Sequence, residues 1–356
     1  MKATKKTLLA CAALAATLAG GAHAQTAPIK LKLAHFLPSV SNLQKDVLEP
    51  WCDTLRKESA DRLQCELYPA MQIGGAPPQL LGHVRDGVAD IVWTSPSYTA
   101  NLFPRMEAIE LPFVVPGDGL GGSRAMWEYY EQHAQKEFER YKVLAVHSGS
   151  GQIFNSVKGP LATLADLKGA KLRSPSRISS KMLSALGAAP VNMPASQITE
   201  SVSRGVADGA LGPWELVTAI KLDEITRFHA EPPAGKPAFI AVAMTLLMNK
   251  QKYEALPADL KAVIDRNSGL SLVERFGESW NRATEHSRKR AAGLGNTLAV
   301  VKPEDYEAMR RAVAGVEAEW IEEVKGKGID GAELVAAARR ISAKHLDGGA
   351  ARAAGN

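Results

Sequence analysis

The residue best placed to do chemistry in this chain is an arginine at the end of a predicted strand. Arg173 closes the stretch Lys171–Arg173, and Pro175 follows two residues later. The pattern predicts a short strand whose carboxyl end presents a guanidinium, at the edge where open α/β sheets bind ligands. A guanidinium can hold a carboxylate through two parallel hydrogen bonds. The alternative is a surface arginine in an ion pair, which contributes little to stability.

Other side chains suited to ligand contact also lie at predicted strand ends. The first half of the chain offers His35, Phe36, Trp93, Ser95 and Tyr98, and the second half offers Gln152, Phe154, Ser176, Arg177 and Trp214. Small-ligand sites are mostly apolar with a few placed polar groups, as this set is. An aromatic residue taken alone belongs more often to the core than to a ligand site. The hypothesis of a binding cleft therefore rests on the fact that these residues all lie at predicted strand ends.

Motifs for catalysis or cofactor binding are weak in this sequence. The segment 117–122 matches G-x-G-x-x-G, but Pro116 interrupts the run before it and the next strand ends without an acidic residue. The histidines are scattered without metal-ligand spacing, and 148–151 does not match the nucleophile elbow. We therefore expect no catalytic residue, no cofactor and no metal.

The N-terminus predicts export. Three lysines within the first six residues, an apolar run over 8–19 and an A-x-A motif ending at Ala24 indicate a signal peptide over 1–24, cleaved before Gln25. We expect the mature protein in the periplasm. The leader carries three lysines and no acid, so its removal lowers the net charge from +5 to +2. No nucleic-acid partner is indicated.

Two cysteines remain after the leader is removed. Cys52 lies on a predicted helix and Cys65 on the strand that follows it. An even pair in an exported protein predicts a disulfide bond, and two buried free thiols are the alternative.

The order of predicted elements indicates an α/β fold. Strands at Ile29–Ala34, Leu63–Tyr68 and 89–94 alternate with helices, which favours a mostly parallel sheet. An apolar run at 239–248 is predicted to return to this first unit as a buried strand. A mature chain of about 330 residues exceeds what one core usually covers, so two domains are expected.

An internal repeat supports two similar units. Residues 79–93 and 197–211 align at a constant offset of 118, with identities at Gln79/Gln197, Val84/Val202, Gly87/Gly205, Val88/Val206, Ala89/Ala207 and Asp90/Asp208. In both, a helix ends at glycine and enters a strand. The alternative is convergence of two helix-to-strand turns. In either case the two halves contain equivalent units, which predicts two α/β lobes facing each other across a cleft.

The predicted domains follow from this pattern. Lobe I is expected over 25–150 and 239–279, lobe II over 151–238 and 280–345, and a disordered tail over 346–356. A helical pattern over 257–294 has few breaks and is predicted to be a long helix that spans both lobes.

Several segments together resemble a known family. They are 33–38, Gly74–Gly75 with the helix to Gly87, 90–93, 103–104, 110–113, 166–173 and 207–209. In this order and spacing the chain resembles a solute-binding protein of the tripartite ATP-independent periplasmic (TRAP) transporters, of the DctP type. The resemblance covers nearly all of the mature chain.

This resemblance implies a periplasmic-binding-protein-like fold, with two lobes joined by crossing strands and a long helix. Such proteins close on a small organic acid and deliver it to a membrane permease driven by an ion gradient. The carboxylate-binding arginine of the family falls on Arg173. Further pocket positions of the family fall near Phe36, Ser95, Ser176, Ala195 and Gly212.

The chain also departs from parts of the family. Members that bind sialic acid have a second arginine where this chain has Ile153 and an acidic residue where it has Ser95, and many members have asparagine at Gly212. A less polar pocket predicts a monocarboxylate with an apolar or aromatic body. The alternatives are a periplasmic sensor for a membrane receptor and a periplasmic enzyme on the same scaffold. We expect a monomer.

Overall fold

A computed structural model describes residues 27–353, with side chains as far as 346. These residues form two β-sheets with helices packed on them. The predicted signal peptide and its cleavage site lie outside the described residues. No helix in the described part of the chain is both long and apolar enough to cross a membrane.

The first sheet defines lobe I. Its strands are β1 (Ile29–Ala34), β2 (Leu63–Tyr68), β3 (Ile91–Thr94), β4 (Tyr141–Ser148) and β10 (Ala243–Asn249). In the spatial order β2-β1-β3-β10-β4, β1 pairs with β2 and β3 in parallel, whereas β10 runs antiparallel to both neighbours. The carboxyl ends of β1 and β3 therefore lie at one edge.

The second sheet defines lobe II. Its strands are β5 (Ile153–Ser156), β6 (Lys171–Ser174), β7 (Ala189–Asn192), β8 (Gly209–Gly212), β9 (Phe228–Glu231) and β11 (Thr297–Val300). The order is β11-β9-β5-β8-β6-β7, and only β5 is antiparallel to its neighbours among these strands.

The chain passes between the lobes at two adjacent segments. Residues 149–152, the crossing segment, connect β4 to β5, and the return passes through 237–242 into β10. The two passages are hydrogen-bonded, because Gln152 N donates to Ile240 O at 3.0 Å. Gly151 N of the crossing segment also donates to Gly117 O of lobe I at 2.9 Å. The reversed strands β5 and β10 therefore both begin at the junction between the lobes.

Helices cover the faces of both sheets. They are α1 (Glu49–Glu58), α2 (Leu80–Arg85), α3 (Gly119–Tyr129), α4 (Leu164–Leu167), α5 (Arg177–Ala185), α6 (Ile198–Ser203), α7 (Trp214–Ala219), α8 (Lys250–Glu254), α9 (Ala258–Arg266), α10 (Leu270–Gly293), α11 (Pro303–Ala312), α12 (Ala314–Lys325) and α13 (Gly331–Ala353). The helix α13 carries helical backbone into 346–356, the segment predicted as a disordered tail.

The long helix α10 spans both lobes, since it packs on α3 and β4 of lobe I and on α7 of lobe II. The predicted single helix over 257–294 is nevertheless two helices. Gly269 separates α9 from α10 with a φ of +70°, a conformation that favours glycine. Its backbone N–H donates to Leu144 O of β4 at 2.7 Å, which fixes the break against lobe I.

The repeated sequence forms equivalent units in the two lobes, as predicted. Gly87 and Gly205 both have positive φ, +74° and +69°. The Asp90 carboxylate accepts from Lys32 N of β1 at 2.8 Å, and the Asp208 carboxylate accepts from Lys171 N of β6 at 3.0 Å. In each lobe the aspartate thereby ties the strand that follows the turn to its parallel neighbour.

The predicted disulfide is present. Cys52 of α1 is bonded to Cys65 of β2, with a Cα–Cα distance of 5.7 Å. The bond joins a helix of lobe I to a strand whose neighbour β1 leads directly into the cleft.

We predict that Cys52→Ala combined with Cys65→Ala lowers the free energy of unfolding by about 3 kcal/mol. Without the cross-link, the unfolded chain gains conformational entropy, and a loop of this length corresponds to a free energy of that size. Urea unfolding of the oxidised wild type and the variant would measure the difference. The reduced wild type is the matched control and should lose a similar amount. Equal unfolding midpoints for oxidised wild type and variant would contradict the prediction.

Candidate ligand-binding site

A cavity of about 70 Å³ lies between the two lobes. Its lining residues in lobe I and the return passage are Phe36, Leu37, Trp93, Tyr98, Val242 and Met244. Those from lobe II are Arg173, Pro175, Ala195, Pro213, Glu215 and Leu216. The crossing segment contributes Gly149 and Gln152, and α10 contributes Trp280.

Arg173 is the buried cation of this cavity. Its residue is only 2% exposed. Nε donates to Met193 O at 3.0 Å and Nη1 donates to Leu211 O at 2.9 Å. No carboxylate among the residues whose side chains are described lies within ion-pair distance of it. Burial lowers its pKa, although an arginine remains protonated in proteins. The guanidinium can therefore hold an anion with a matching fork.

The position of Arg173 follows from the sheet. It lies in the parallel strand β6, in register with Val191 of β7 and Ala210 of β8. The carbonyls that hold its guanidinium come from just beyond β7 and from within β8. The side chain is thus fixed by two backbone elements before any ligand binds.

Aromatic rings form the opposite wall. Phe36 lies 4.9 Å from Trp93 and 5.7 Å from Tyr98 between ring centroids, the latter edge to face. Trp280 lies 6.4 Å from Trp93. The Trp93 indole is held in place because its Nε1 donates to Nε2 of His147 at 3.0 Å. Burial lowers the pKa of His147 to about 3, so the ring is neutral and can accept this hydrogen bond.

Two polar side chains line the cavity beside the crossing segment. Glu215 is 7% exposed, and its Oε1 accepts from Ser150 N at 2.9 Å. Burial raises the pKa of Glu215 to about 8, so its carboxyl is neutral at pH 7. Gln152 is 4% exposed. Among the described residues, Oε2 of Glu215 and Oε1 of Gln152 have no hydrogen-bond partner.

Six of the residues singled out in the sequence line this cavity. They are Phe36, Trp93, Tyr98, Gln152, Arg173 and Ala195. Tyr98 also reaches across the cleft, since its hydroxyl oxygen lies 3.5 Å from Ala195 N of lobe II. The cleft edge therefore assembles the predicted cation, aromatic rings and amide from both lobes.

Four other expected contacts point into the protein instead. Trp214 packs on His229 at 4.8 Å in the core of lobe II. Phe154 packs on Phe239 at 4.9 Å. His35 bonds to Gln44 at 3.1 Å, and burial lowers its pKa to about 4. The carbonyl of Gly212 accepts from the buried Asn155 side chain.

The two serines and the second arginine have structural partners. Ser95 accepts from Ser97 N at 3.2 Å, and Ser176 accepts from Ser179 N at 3.2 Å at the start of α5. Both hydroxyls therefore cap helical turns. Arg177 was expected at the ligand site, but it is neutralised by Glu107 and Glu323.

Arg177 instead connects the lobes. It begins α5 of lobe II, and its Nε donates to Oε1 of Glu107, a lobe I residue, at 2.8 Å. Its Nη1 donates to Glu323 Oε2 at 2.6 Å. Trp320 Nε1 adds a hydrogen bond to Glu107 at 3.1 Å. These contacts hold the two lobes together in the conformation described here.

Several cavity residues were not anticipated from the sequence. Leu37, Gly149, Pro175, Pro213 and Leu216 adjoin predicted strand ends, whereas Val242 and Met244 belong to a run predicted only as buried. Glu215 could have been predicted as a cavity residue, because it directly follows Trp214, which lies at the end of a predicted strand. No such signal exists for Trp280, since it lies mid-helix on α10 and reaches the cavity only through the packing of that helix.

Glu110 supports the cavity wall from behind. It is 2% exposed. Ser97 Oγ donates to its Oε1 at 2.6 Å, and Ala243 N donates to the same oxygen at 2.5 Å. The residue thus ties the loop that carries Tyr98 to the strand that carries Met244. Burial raises the pKa of Glu110 to about 8.

The lobes, the crossing segments and the enclosed cavity together define a two-lobed solute-binding protein. The chain matches the family of bacterial extracellular solute-binding proteins, family 7 (DctP), over residues 33–323, and it belongs to that family. The family consists of periplasmic solute-binding proteins of TRAP transporters, not of enzymes. Its members bind small organic acids and work with TRAP permeases.

Solved structures of TRAP solute-binding proteins are similar to this chain. One from Rhodoferax ferrireducens T118, with copurified benzoate, is 40% identical with a TM-score of 0.86, covering 90% of this chain and 99% of its own. A marine metagenome protein specific for aromatic acid ligands, with 3-hydroxybenzoate, is 38% identical with a TM-score of 0.87 and the same coverage. A Bordetella bronchiseptica protein with bound mandelate is 27% identical with a TM-score of 0.80, covering 89% of this chain and 99% of its own.

We predict that Glu110→Gln reduces the loss of stability between pH 7 and pH 8. The folded pKa is raised to about 8, while the unfolded carboxyl ionises near pH 4.5. Over this interval only the folded state releases the proton, so a rise in pH destabilises the wild type. Glutamine removes this titration.

Urea unfolding at both pH values measures the effect, with the exposed Glu285→Gln as the matched control. The control should retain the wild-type dependence. The same pH dependence in Glu110→Gln as in the wild type would mean that Glu110 is already ionised in the folded protein at pH 7.

Proposed function

We propose that this protein captures an aromatic monocarboxylate in the cleft between its lobes and delivers it to a TRAP permease. The observation that carries the proposal is the buried Arg173 guanidinium, which lacks a carboxylate partner among the described side chains. A buried cation is strongly disfavoured without a counter-ion. A ligand carboxylate supplies it.

The charge of the cavity argues for a single carboxylate. Arg173 is the one charged lining residue among those described, since the carboxyl of Glu215 is neutral at pH 7. The position where related proteins have a second arginine is Ile153, which is buried and apolar. A second negative charge on the ligand would therefore lack a partner.

The shape of the cavity argues for a ring. Phe36, Trp93 and Trp280 present aromatic faces and edges, and such pairs contribute about 0.5–1.5 kcal/mol beyond area burial. The similar structures contain benzoate, 3-hydroxybenzoate or mandelate, all aromatic carboxylates. Their ligands support the same class for this chain.

The cellular setting of the proposal follows from the sequence. Export through the signal peptide over 1–24, with cleavage before Gln25, delivers a soluble carrier to the periplasm. The carrier acts as a monomer that passes its ligand to membrane permease subunits. Denaturation of the purified protein should release its bound ligand. Mass spectrometry of the released compound should then identify an aromatic acid.

We predict that Arg173→Met weakens binding of benzoate by at least about 30-fold, because loss of one partner of a buried charge pair costs ~2–5 kcal/mol. Arg173→Lys should recover only part of the loss, since lysine lacks the planar fork. Isothermal titration calorimetry measures both.

The matched control is Arg85→Met, which removes an exposed arginine paired with Asp86 and should bind as the wild type does. Circular dichroism checks that each variant is folded. Arg173→Met that is folded and binds as tightly as the wild type would exclude Arg173 as the carboxylate site.

A further inference from the structure

Two residues that line the cavity each have a polar side-chain atom that is not needed for the proposed binding of a carboxylate by Arg173. These atoms are Oε2 of Glu215 and Oε1 of Gln152, both buried and both without a hydrogen-bond partner among the described residues. Buried polar groups are almost always paired, and an unpaired one destabilises the folded protein. Both atoms belong to residues that line one cavity, so a ligand group bound there could satisfy them.

The two side chains share one side of the cavity, beside the crossing segment. Glu215 is anchored there because its Oε1 accepts from Ser150 N. Gln152 is anchored by its own backbone, which donates to Ile240 O of the return passage. Arg173 is held elsewhere, by the carbonyls of Met193 and Leu211 in lobe II. A ligand that fills the cavity would therefore meet the cation and this pair at different points on its body.

The protonation of Glu215 determines what the pair can bind. Burial raises its pKa to about 8, so the carboxyl carries its proton at pH 7. With Oε1 accepting from Ser150 N, the acid proton resides on Oε2 and can be donated. Gln152 Oε1 can accept. In the other orientation of its amide, Gln152 would donate instead, and a partner that both donates and accepts suits either arrangement.

A hydroxyl group has the required chemistry, since it has one hydrogen to donate and lone pairs to accept. Resting on the proposed function, we propose that Gln152 and Glu215 form a hinge subsite that binds a hydroxyl on the ring of the ligand, so that hydroxy-substituted aromatic monocarboxylates are preferred. A methyl group in the same place would leave both atoms unpaired. A second carboxylate would bring a charge that no nearby cation balances.

The test is a comparison of ligands within each variant. Dissociation constants at pH 7 are measured by calorimetry for benzoate, the three monohydroxybenzoates and the three matching methylbenzoates. We expect at least one hydroxybenzoate to bind the wild type at least about tenfold more tightly than benzoate and than its methyl counterpart, the discrimination that paired polar groups provide.

Variants then assign the preference to the subsite. In Glu215→Leu and in Gln152→Met the ratio of benzoate to hydroxybenzoate dissociation constants should fall towards one. Glu215→Gln keeps a donor and an acceptor and should restore much of the ratio, a rescue that a merely structural role would not produce. The exposed residues Glu285 and Gln251 provide the matched controls, Glu285→Leu and Gln251→Met, which should keep the wild-type ratio.

The outcomes separate this inference from the proposed function. If benzoate binds but no hydroxybenzoate is preferred, a water or no group at all occupies the hinge subsite, and the inference is wrong while the proposed function stands. A hydroxyl preference that survives in Glu215→Leu and Gln152→Met also overturns the inference. If no aromatic carboxylate binds the wild type, both proposals fail.

Discussion

The constraint on which the rest of the structure depends is a guanidinium held out of water without a counter-ion among the described residues. Two backbone carbonyls, Met193 O and Leu211 O, position Arg173 and offset part of its desolvation. Carbonyls carry only partial charge, so they compensate the buried cation less fully than a carboxylate would. The parallel strands β6, β7 and β8 therefore serve to present a charge that the lobe itself does not neutralise.

Arg177, four residues later and at the start of α5, has a different task from Arg173 in β6. Arg177 is neutralised twice, by Glu107 of lobe I and by Glu323. It links the lobes and carries no net charge into the cleft. Because Arg173 and the aromatic wall belong to different lobes, the shape of the cavity depends on the arrangement of the lobes, which the Arg177 contacts help to hold. Enclosure between the lobes excludes water and strengthens the interaction of Arg173 with a carboxylate.

Local sequence predicted the parts of this arrangement that depend on local rules. The alternation of Ile29–Ala34 and Leu63–Tyr68 marked β1 and β2 at their observed bounds, and the repeated turns at Gly87 and Gly205 marked equivalent units. The orientation of side chains at strand ends was harder to predict from the sequence. Trp214 and Phe154 point into the protein core, which forms only through tertiary packing. Trp280 enters the cavity from α10, more than a hundred residues beyond Arg173, and no local pattern encodes such a contact.

The electrostatics of this cleft depend on two carboxyl groups that are uncharged as well as on the charged Arg173. Burial keeps two carboxyls near the cavity, Glu110 and Glu215, neutral at pH 7. An ionised carboxylate at either position would add negative charge near the cavity and oppose the binding of an anion. Neutral carboxyls can instead form hydrogen bonds, as Glu110 does with Ser97 and Ala243. Hydrogen bonds thereby order the surroundings of the cavity without cancelling the positive charge of Arg173.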